Sequence, residues 1–427
     1  MNKVVLAYSG GLDTSVAVAW LKEQYGVEVV TLTVDLGGGS LRPGVEARAM
    51  SSGATRAYVV DARERFVTDF VWPHLQANAL YQGAYPLATA LARPLIAQLL
   101  VEVAKREGAD AVAHGCTGKG NDQVRFDVAT HALDPGLEVI APMRVGMGLT
   151  RDQEIDYANE RGIEIPITKE SPYSIDVNLW GRSCETGVLE DPWVTPPPDA
   201  YEWTVDPADA PGAVDVTIEF EGGVPVALDG ERLAPVSLVE QLHELGGMHG
   251  VGRIDHVEDR LVGIKSREIY ETPAATILHA AHHALEGLTL SRDTLRFNRS
   301  VADELSRLIY DGLWFSALSR DLRSYVASSQ RVVSGEIRVR LDHGQAIVAG
   351  RRSPLSLYDK SLATYDEGDA FDHASAVGFI EIFGLPLRVE AARHGAVGAR
   401  HGAAWSWTDP LLDGLPTSVT DPEPATV

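Results

Sequence analysis

The chain has 427 residues, enough to bury a sizeable apolar core, and that length favours two or three domains. Its apolar, aromatic and charged fractions are ordinary for a globular protein, which excludes disorder, collagen-like structure and coiled coil. A formal net charge of −23 would repel a nucleic-acid backbone over most of the surface, so any anionic ligand must be held by a local site.

The first apolar run, Val4-Val5-Leu6-Ala7-Tyr8, reads as a strand and is too short for a signal-peptide core. No segment reads as membrane-spanning, and the chain has only two cysteines, Cys116 and Cys184. The expectation is therefore a cytoplasmic protein with no membrane or nucleic-acid partner. Directly after this strand, Ser9-Gly10-Gly11-Leu12-Asp13-Thr14-Ser15 opens a helix predicted over Thr14 to Tyr25. Unpaired amides and the helix dipole favour an anion there, the glycines allow close approach, and three hydroxyls can donate to phosphate oxygens. Asp13 would repel phosphate unless it caps the helix or helps to hold a divalent cation, which points to Mg2+. The segment is neither a Walker A loop nor a dinucleotide fingerprint. Standing alone, it could also be a plain strand-to-helix turn.

Val27 to Val34, Ala57 to Val60, Ala111 to His114 and Val139 to Pro142 read as further strands, and Pro94 to Glu107 as a helix. This alternation predicts an α/β domain with an open, mostly parallel sheet over residues 1–167. The run His114-Gly115-Cys116-Thr117-Gly118-Lys119-Gly120-Asn121-Asp122-Gln123-Val124-Arg125-Phe126 follows one of those strands. Both Gly-rich segments would lie at the carboxyl edge of one sheet, where open α/β folds place ligands. The bland alternative is a turn with Asn121 and Asp122 capping the next helix.

Residues 168–372 change character and predict an α+β synthetase domain. A polar stretch that fits neither helix nor strand is followed by hairpins at Val214 to Phe220 with Val224 to Leu228, and at Glu336 to Leu341 with Ala346 to Ala349. Helices are predicted at Ser237 to Leu245, Ala274 to Leu285 and Ser300 to Asp311. Residues 373–408 read as a C-terminal helix region, and 409–427 as a Pro-rich, acidic, mobile tail.

The first Gly-rich segment resembles the pyrophosphate loop of the ATP pyrophosphatases, and the second resembles the matching motif of argininosuccinate synthase. Ser171-Pro172-Tyr173-Ser174-Ile175-Asp176, Gly181-Arg182-Ser183, Gly187 to Trp193, Gly252-Arg253-Ile254-Asp255 and Gly263 to Glu271 look like the same family, in the same order, from Val4 to about Ala391. The resemblance implies a homotetrameric ligase that joins L-citrulline to L-aspartate and splits ATP into AMP and diphosphate through citrullyl-AMP. It assigns ATP to Ala7, Tyr8, Ser9, Gly10, Gly11, Leu12, Asp13, Thr14, Ser15, Val34 and Gly115. Aspartate falls to Thr117, Asn121 and Asp122. Citrulline falls to Tyr85, Asn121, Arg125, Ser174, Ser183, Glu258 and Tyr270, drawn from both predicted domains. Arg125 suits a carboxylate and Glu258 an ammonium. No nucleophilic side chain is implied, and Asp13 is the one magnesium-associated catalytic candidate. The helix around Ser375 to Ile382 would swap onto a neighbouring subunit.

Two positions depart from the family. Ala90 stands where Ser is frequent, which removes one citrulline hydrogen bond unless Thr89 supplies it. Gly38 stands where Gln is common, so that loop is expected to be more mobile. His279, His282 and His283 lack a third ligand at a telling spacing and read as a polar helix face rather than a metal site. Cys116 has no implied base and reads as a small side chain rather than a nucleophile. Trp180, Trp193 and Trp203 read as core or hinge packing. The rivals are another substrate-adenylating ATP pyrophosphatase, such as a tRNA-thiolating enzyme, GMP synthetase or NAD synthetase, and a non-catalytic nucleotide sensor. The acidic surface and the lack of a second cysteine near Cys116 weigh against the first.

Overall fold

In the computed structural model, residues 1–144, 146–149, 151–163, 173–366 and 368–400 are described. The expected boundary at 167, Ser171, Pro172 and the tail 409–427 lie outside them. Two units are present, Met1–Tyr358 and Asp359 onward.

The first unit begins with five parallel strands, β1 (Lys3–Ala7), β2 (Glu28–Asp35), β3 (Arg56–Asp61), β4 (Ala111–Ala113) and β5 (Glu138–Ile140), in the order β3-β2-β1-β4-β5. Val4, Val5 and Leu6 of the central strand are fully buried, as a strand covered on both faces requires. The open α/β expectation holds, with each strand within a residue or two of its predicted bounds. One helix differs. The sequence pattern predicts its start at Pro94, but it runs Ala88–Glu107 with Pro94 inside. Proline favours the first turn, which is why it reads as a start; here the buried residues Ala88, Ala90, Leu91 and Ala92 extend the helix upstream despite the lost hydrogen bond.

Beyond this sheet come β6 (Ser174–Asn178), β7 (Gly181–Glu185), β8 (Val214–Glu221), β9 (Val224–Leu228), β10 (Glu231–Arg232), β11 (Arg253–Asp259), β12 (Lys265–Glu271), β13 (Gly335–Asp342) and β14 (Gln345–Arg352). They form a five-stranded sheet, β10-β9-β8-β13-β14, and a four-stranded sheet, β11-β12-β7-β6. Both expected hairpins and all three expected helices are present, the helices as Pro235–Met248, Pro273–Thr289 and Arg292–Tyr310. β6 and β7 of the four-stranded sheet lie in the polar stretch whose pattern fits neither helix nor strand. One apolar cluster runs from Val5 to Leu341, so the residues of the two predicted domains share a core within this unit.

The loop after β2 is pinned rather than freed by its glycines. Leu179 donates its backbone N–H to the Leu36 carbonyl (2.8 Å), and Gly37 donates to the Asp35 carboxylate (2.9 Å). Gly38 has φ +66°, and an added Cβ would come 2.5 Å from the Asn178 carbonyl oxygen. The expectation of a looser loop is therefore corrected: with this backbone a side chain at Gly38 would be strained and would press on the Asn178 carbonyl. Gly38→Ala should lower stability by about 1–3 kcal/mol through strain and overlap, readable as a fall in Tm.

In the second unit, helices span Lys360–Ala363, His373–Phe383 and Leu385–Arg400. The side chain of Asp372 caps the second by accepting from the backbone N–H groups of Ala374 and Ser375. The expected C-terminal helix is present, with Phe379, Ile380, Ile382 and Phe383 exposed, and residues 401–408 lie outside the described chain.

Candidate active site

The chain leaves β1 toward β2 on one side, while β4 pairs on the other, so the carboxyl ends of β1 and β4 flank the point where strand order reverses. Such a crevice is the usual ligand position in an open α/β sheet. Residues 8–11 turn there into the helix Leu12–Tyr25. The N-cap is Gly11 with no side-chain cap bond, and Asp13 is exposed in the first turn, so the helix start keeps its amides available and the bland capping role for Asp13 is absent. The Tyr8 and Ser15 hydroxyls lie 2.8 Å apart, those of Ser9 and Thr14 3.2 Å apart, and Gly11 N–H donates to Ser9 Oγ (3.3 Å). Arg48, from the helix Val45–Ser51, donates to the Gly10 carbonyl (3.3 Å). This cation beside the loop escaped the sequence reading, because nothing in its helical context marks it. Val34 lies next door, near the end of β2.

The second loop touches the first. A Cβ on Gly115 would sit 3.1 Å from Thr14 Cγ2, so the Gly115 backbone packs against the Thr14 side chain of the first loop. His114 Nε2 lies 2.9 Å from Asp127, and its Nδ1 accepts from Cys116 N–H (3.2 Å). That pattern makes Nε2 the protonated nitrogen and holds the loop's start. Burial pushes the Cys116 thiol up, which disfavours a thiolate and agrees with its reading as a non-nucleophile. Thr117 is exposed, and its carbonyl accepts from Gly120 N–H (3.4 Å).

At the end of this loop the amide of Asn121 does not cap its helix. It donates from Nδ2 to the Tyr310 hydroxyl (2.8 Å) and accepts at Oδ1 from Leu261 N–H (2.9 Å). Asp122 pairs with Arg93 (2.8 Å) and Arg125 (2.9 Å), and Arg93 also reaches Asp176 (2.7 Å). Burial opposes ionisation of Asp122, but the two guanidinium groups outweigh it and hold the carboxyl down to about 2. Arg125, 3 % exposed, donates from Nε to the Tyr310 carbonyl (2.8 Å).

The four-stranded sheet supplies the rest. In its register Ser183 stands opposite both Asp176 and Tyr270, Ser174 opposite Glu185, and Glu258 opposite Ser266. Cross-strand partners share a face, so Ser174, Ser183, Tyr270 and Glu258 all lie on one face of one sheet. Glu258 accepts from the hydroxyls of Tyr270 (2.7 Å) and Tyr310 (2.6 Å). The Tyr85 ring, from the loop before the helix Ala88–Glu107, stacks on Tyr270 at 4.0 Å and 11°. Burial and the neighbouring Glu258 keep the Tyr310 hydroxyl protonated. Burial together with Glu185 and Glu258 raises Glu268 well above the usual carboxylate range.

The structure thus brings Tyr85, Asn121, Asp122, Arg125, Ser183, Glu258 and Tyr270 into one connected cluster. Ser174 lies on the same sheet face toward its edge, exposed, and Thr117 is exposed on the second loop, where its carbonyl bonds Gly120 rather than a residue of the cluster. Arg93, Asp176, Tyr81 and Tyr310 belong to the cluster and were not anticipated. Ala90 is fully buried in the core, whereas Thr89 next to it is partly exposed and donates its backbone N–H to the Tyr85 hydroxyl (3.0 Å).

Two readings need correction. His279 and His282 are buried rather than on a polar face, with His282 Nε2 2.9 Å from Gln330; only His283 is exposed. Trp180 is core, but Trp193 is 93 % exposed and packs as neither core nor hinge. A cavity of about 1060 Å³, lined by Asn78, Thr276, His279, Glu286 and Arg299 among others, includes none of the candidate site residues.

The chain is similar to known proteins along most of its length. The family described as the arginosuccinate synthase N-terminal HUP domain matches residues 3–164, and the arginosuccinate synthase C-terminal domain matches residues 173–390. The argininosuccinate synthase of Dehalococcoides mccartyi strain 195 is 55% identical over 391 residues, 91% of this chain and 96% of that protein. That of Symbiobacterium thermophilum is 57% identical over 393 residues, covering 92% and 98%. That of Gloeobacter violaceus is 57% identical over 392 residues, covering 91% and 98%.

Proposed function

The chain belongs to the argininosuccinate synthase family, and from that premise we propose how its residues divide the work of an ATP-consuming ligase that makes argininosuccinate in arginine biosynthesis. Residues Ala7 to Ser15 hold the phosphates on open amides and hydroxyls, with Arg48 adding positive charge, Val34 beside the adenosine and Gly115 closing over the nucleotide. Arg125 receives the carboxylate of citrulline and Glu258 its ammonium group, flanked by Tyr85, Asn121, Ser174, Ser183 and Tyr270. Aspartate binds at Thr117, Asn121 and Asp122.

The ureido oxygen of citrulline attacks the α-phosphorus, and the bond to diphosphate breaks to give citrullyl-AMP. The amine of aspartate then attacks the ureido carbon, and AMP leaves with the C–O electron pair. Both are displacements between bound substrates, so the protein contributes orientation and charge placement rather than a nucleophile. The observation that supports this most is the junction of the two halves: Gly115 lies against the phosphate loop, and six residues on Asn121 is bonded into the polar cluster.

Among the described residues no group of three or more His, Cys, Asp or Glu could hold a metal unaided. Exposed Asp13 offers one carboxylate, which fits Mg2+ held mainly by substrate phosphates and water. Bound there, the ion would neutralise phosphate charge. The exposed apolar residues of His373–Phe383 support a homotetramer, and two free cysteines support a cytoplasmic location. No described helix is long and apolar enough to cross a membrane.

Citrulline labelled with 18O in its ureido group tests the intermediate. Mass spectrometry should find the label in AMP; turnover that yields unlabelled AMP would rule out citrullyl-AMP.

A further inference from the structure

We infer that Tyr310 positions the citrulline-binding groups as one unit and so sets the pocket's selectivity for an α-amino-acid end group; this rests on the citrulline assignment above. Tyr310 is the last residue of the helix Arg292–Tyr310 and is 1 % exposed. Three of the proposed citrulline ligands, Asn121, Arg125 and Glu258, touch it.

The direction of each bond follows from the chemistry of the partners. The Glu258 carboxylate can only accept, so the Tyr310 hydroxyl donates to its Oε1 (2.6 Å). The hydroxyl's lone pair then accepts from Asn121 Nδ2 (2.8 Å), which leaves Asn121 Oδ1 to accept from Leu261 N–H (2.9 Å). This relay fixes the orientation of the Asn121 amide, with its carbonyl committed to the backbone. The second oxygen of Glu258 accepts from Tyr270 (2.7 Å), so each carboxylate oxygen is held by one tyrosine.

Arg125 meets the other parts of the same residue. Its Nε donates to the Tyr310 carbonyl, one of the helix-end carbonyls that lack an intrahelical partner and carry the negative end of the dipole. Its guanidinium carbon stands 4.8 Å from the centre of the Tyr310 ring. The other side of the scaffold is set by Tyr81, whose ring stacks on Tyr310 at 3.6 Å and 4° and whose hydroxyl donates to the Asp259 carbonyl (2.8 Å). The cation proposed for the substrate carboxylate and the anion proposed for its ammonium therefore hang on one buried residue, the first by its backbone carbonyl and ring face and the second by its hydroxyl. Their separation is preorganised before citrulline arrives.

Tyr310→Phe keeps the ring, the stack and the carbonyl and removes only the relay. Steady-state kinetics should show the KM for citrulline raised about tenfold, the size of effect expected when hydrogen bonds to a charged group are lost. The KM for ATP should stay within about twofold and Tm within about 2 °C, a split that a merely structural role would not produce. In a double-mutant cycle with Glu258→Gln, the two effects should be less than multiplicative, because both act through one carboxylate. A citrulline KM close to that of the parent, a parallel rise in both KM values, or fully multiplicative effects would each overturn the inference. Parent protein without citrulline-dependent turnover would overturn the citrulline assignment itself, and this inference with it.

Discussion

Arg125→Ala is expected to lower kcat/KM for citrulline by about a hundredfold to a thousandfold, with a much smaller effect on the KM for ATP. Truncating one member of a buried, hydrogen-bonded charge pair costs about 2–5 kcal/mol, and each 1.4 kcal/mol is a factor of ten. Arg125 is almost wholly buried, pairs with Asp122, and donates to the Tyr310 carbonyl, so its loss removes the proposed carboxylate contact and leaves two acceptors short. Asp122 would keep Arg93 as its partner, which limits the damage to the aspartate side. Replacing Asp122 instead would strip both arginines of a carboxylate. The two variants are therefore coupled, and Asp122→Ala should impair citrulline use as well as aspartate use. Kinetics with each substrate varied in turn separates these effects; an Arg125→Ala enzyme with unaltered citrulline kinetics would refute the assignment.

The second large effect is expected on stability, at Glu271. This carboxylate is fully buried and accepts from the backbone N–H groups of Glu202, Trp203 and Thr204, from the Thr204 hydroxyl and from Arg182 (2.9 Å). Arg182 has only 3% of its side chain exposed. Glu271→Ala would leave several N–H donors unpaired and the buried Arg182 with only the exposed Glu202 carboxylate and the Ala200 carbonyl, a loss of about 3–5 kcal/mol. Glu271→Gln keeps acceptor oxygen at the site and should cost less. The position also backs the site: Glu271 follows Tyr270, Arg182 precedes Ser183, and those two neighbours face each other across β12 and β7. Urea unfolding measures the difference, and a shift below about 1 kcal/mol would contradict this reading.

Much of the first sheet was legible because its central strands are short apolar runs, each followed by turn or helix signals. The phosphate loop could be recognised for the same reason: its glycines and hydroxyls sit directly between a strand and a helix. The four-stranded sheet left no such trace. β6 alternates polar Ser174, Asp176 and Asn178 with Ile175 and Val177 over only five residues, and its partner β7 buries Arg182 beside Cys184, so the pair carries too little apolar pattern to stand out from the polar stretch around it. Tyr85, Glu258 and Tyr270 were reached through the family resemblance rather than through spacing. Arg48, Arg93 and Tyr310 lie within helices whose local pattern gives no hint of a site, and only tertiary contacts single them out. The histidines show the limit of reading polarity as exposure: His282 and His279 are polar residues on a helix, yet one faces Gln330 in the interior and the other stands edge-on to His74.

The most direct test of the proposed chemistry is to mix pure protein with ATP, Mg2+, citrulline and aspartate, and to follow diphosphate and AMP while omitting one amino acid at a time. Steady release of both products should require citrulline and aspartate together, with argininosuccinate formed in equal amount. Release that continues unchanged without either amino acid, or no release with all present, would contradict it.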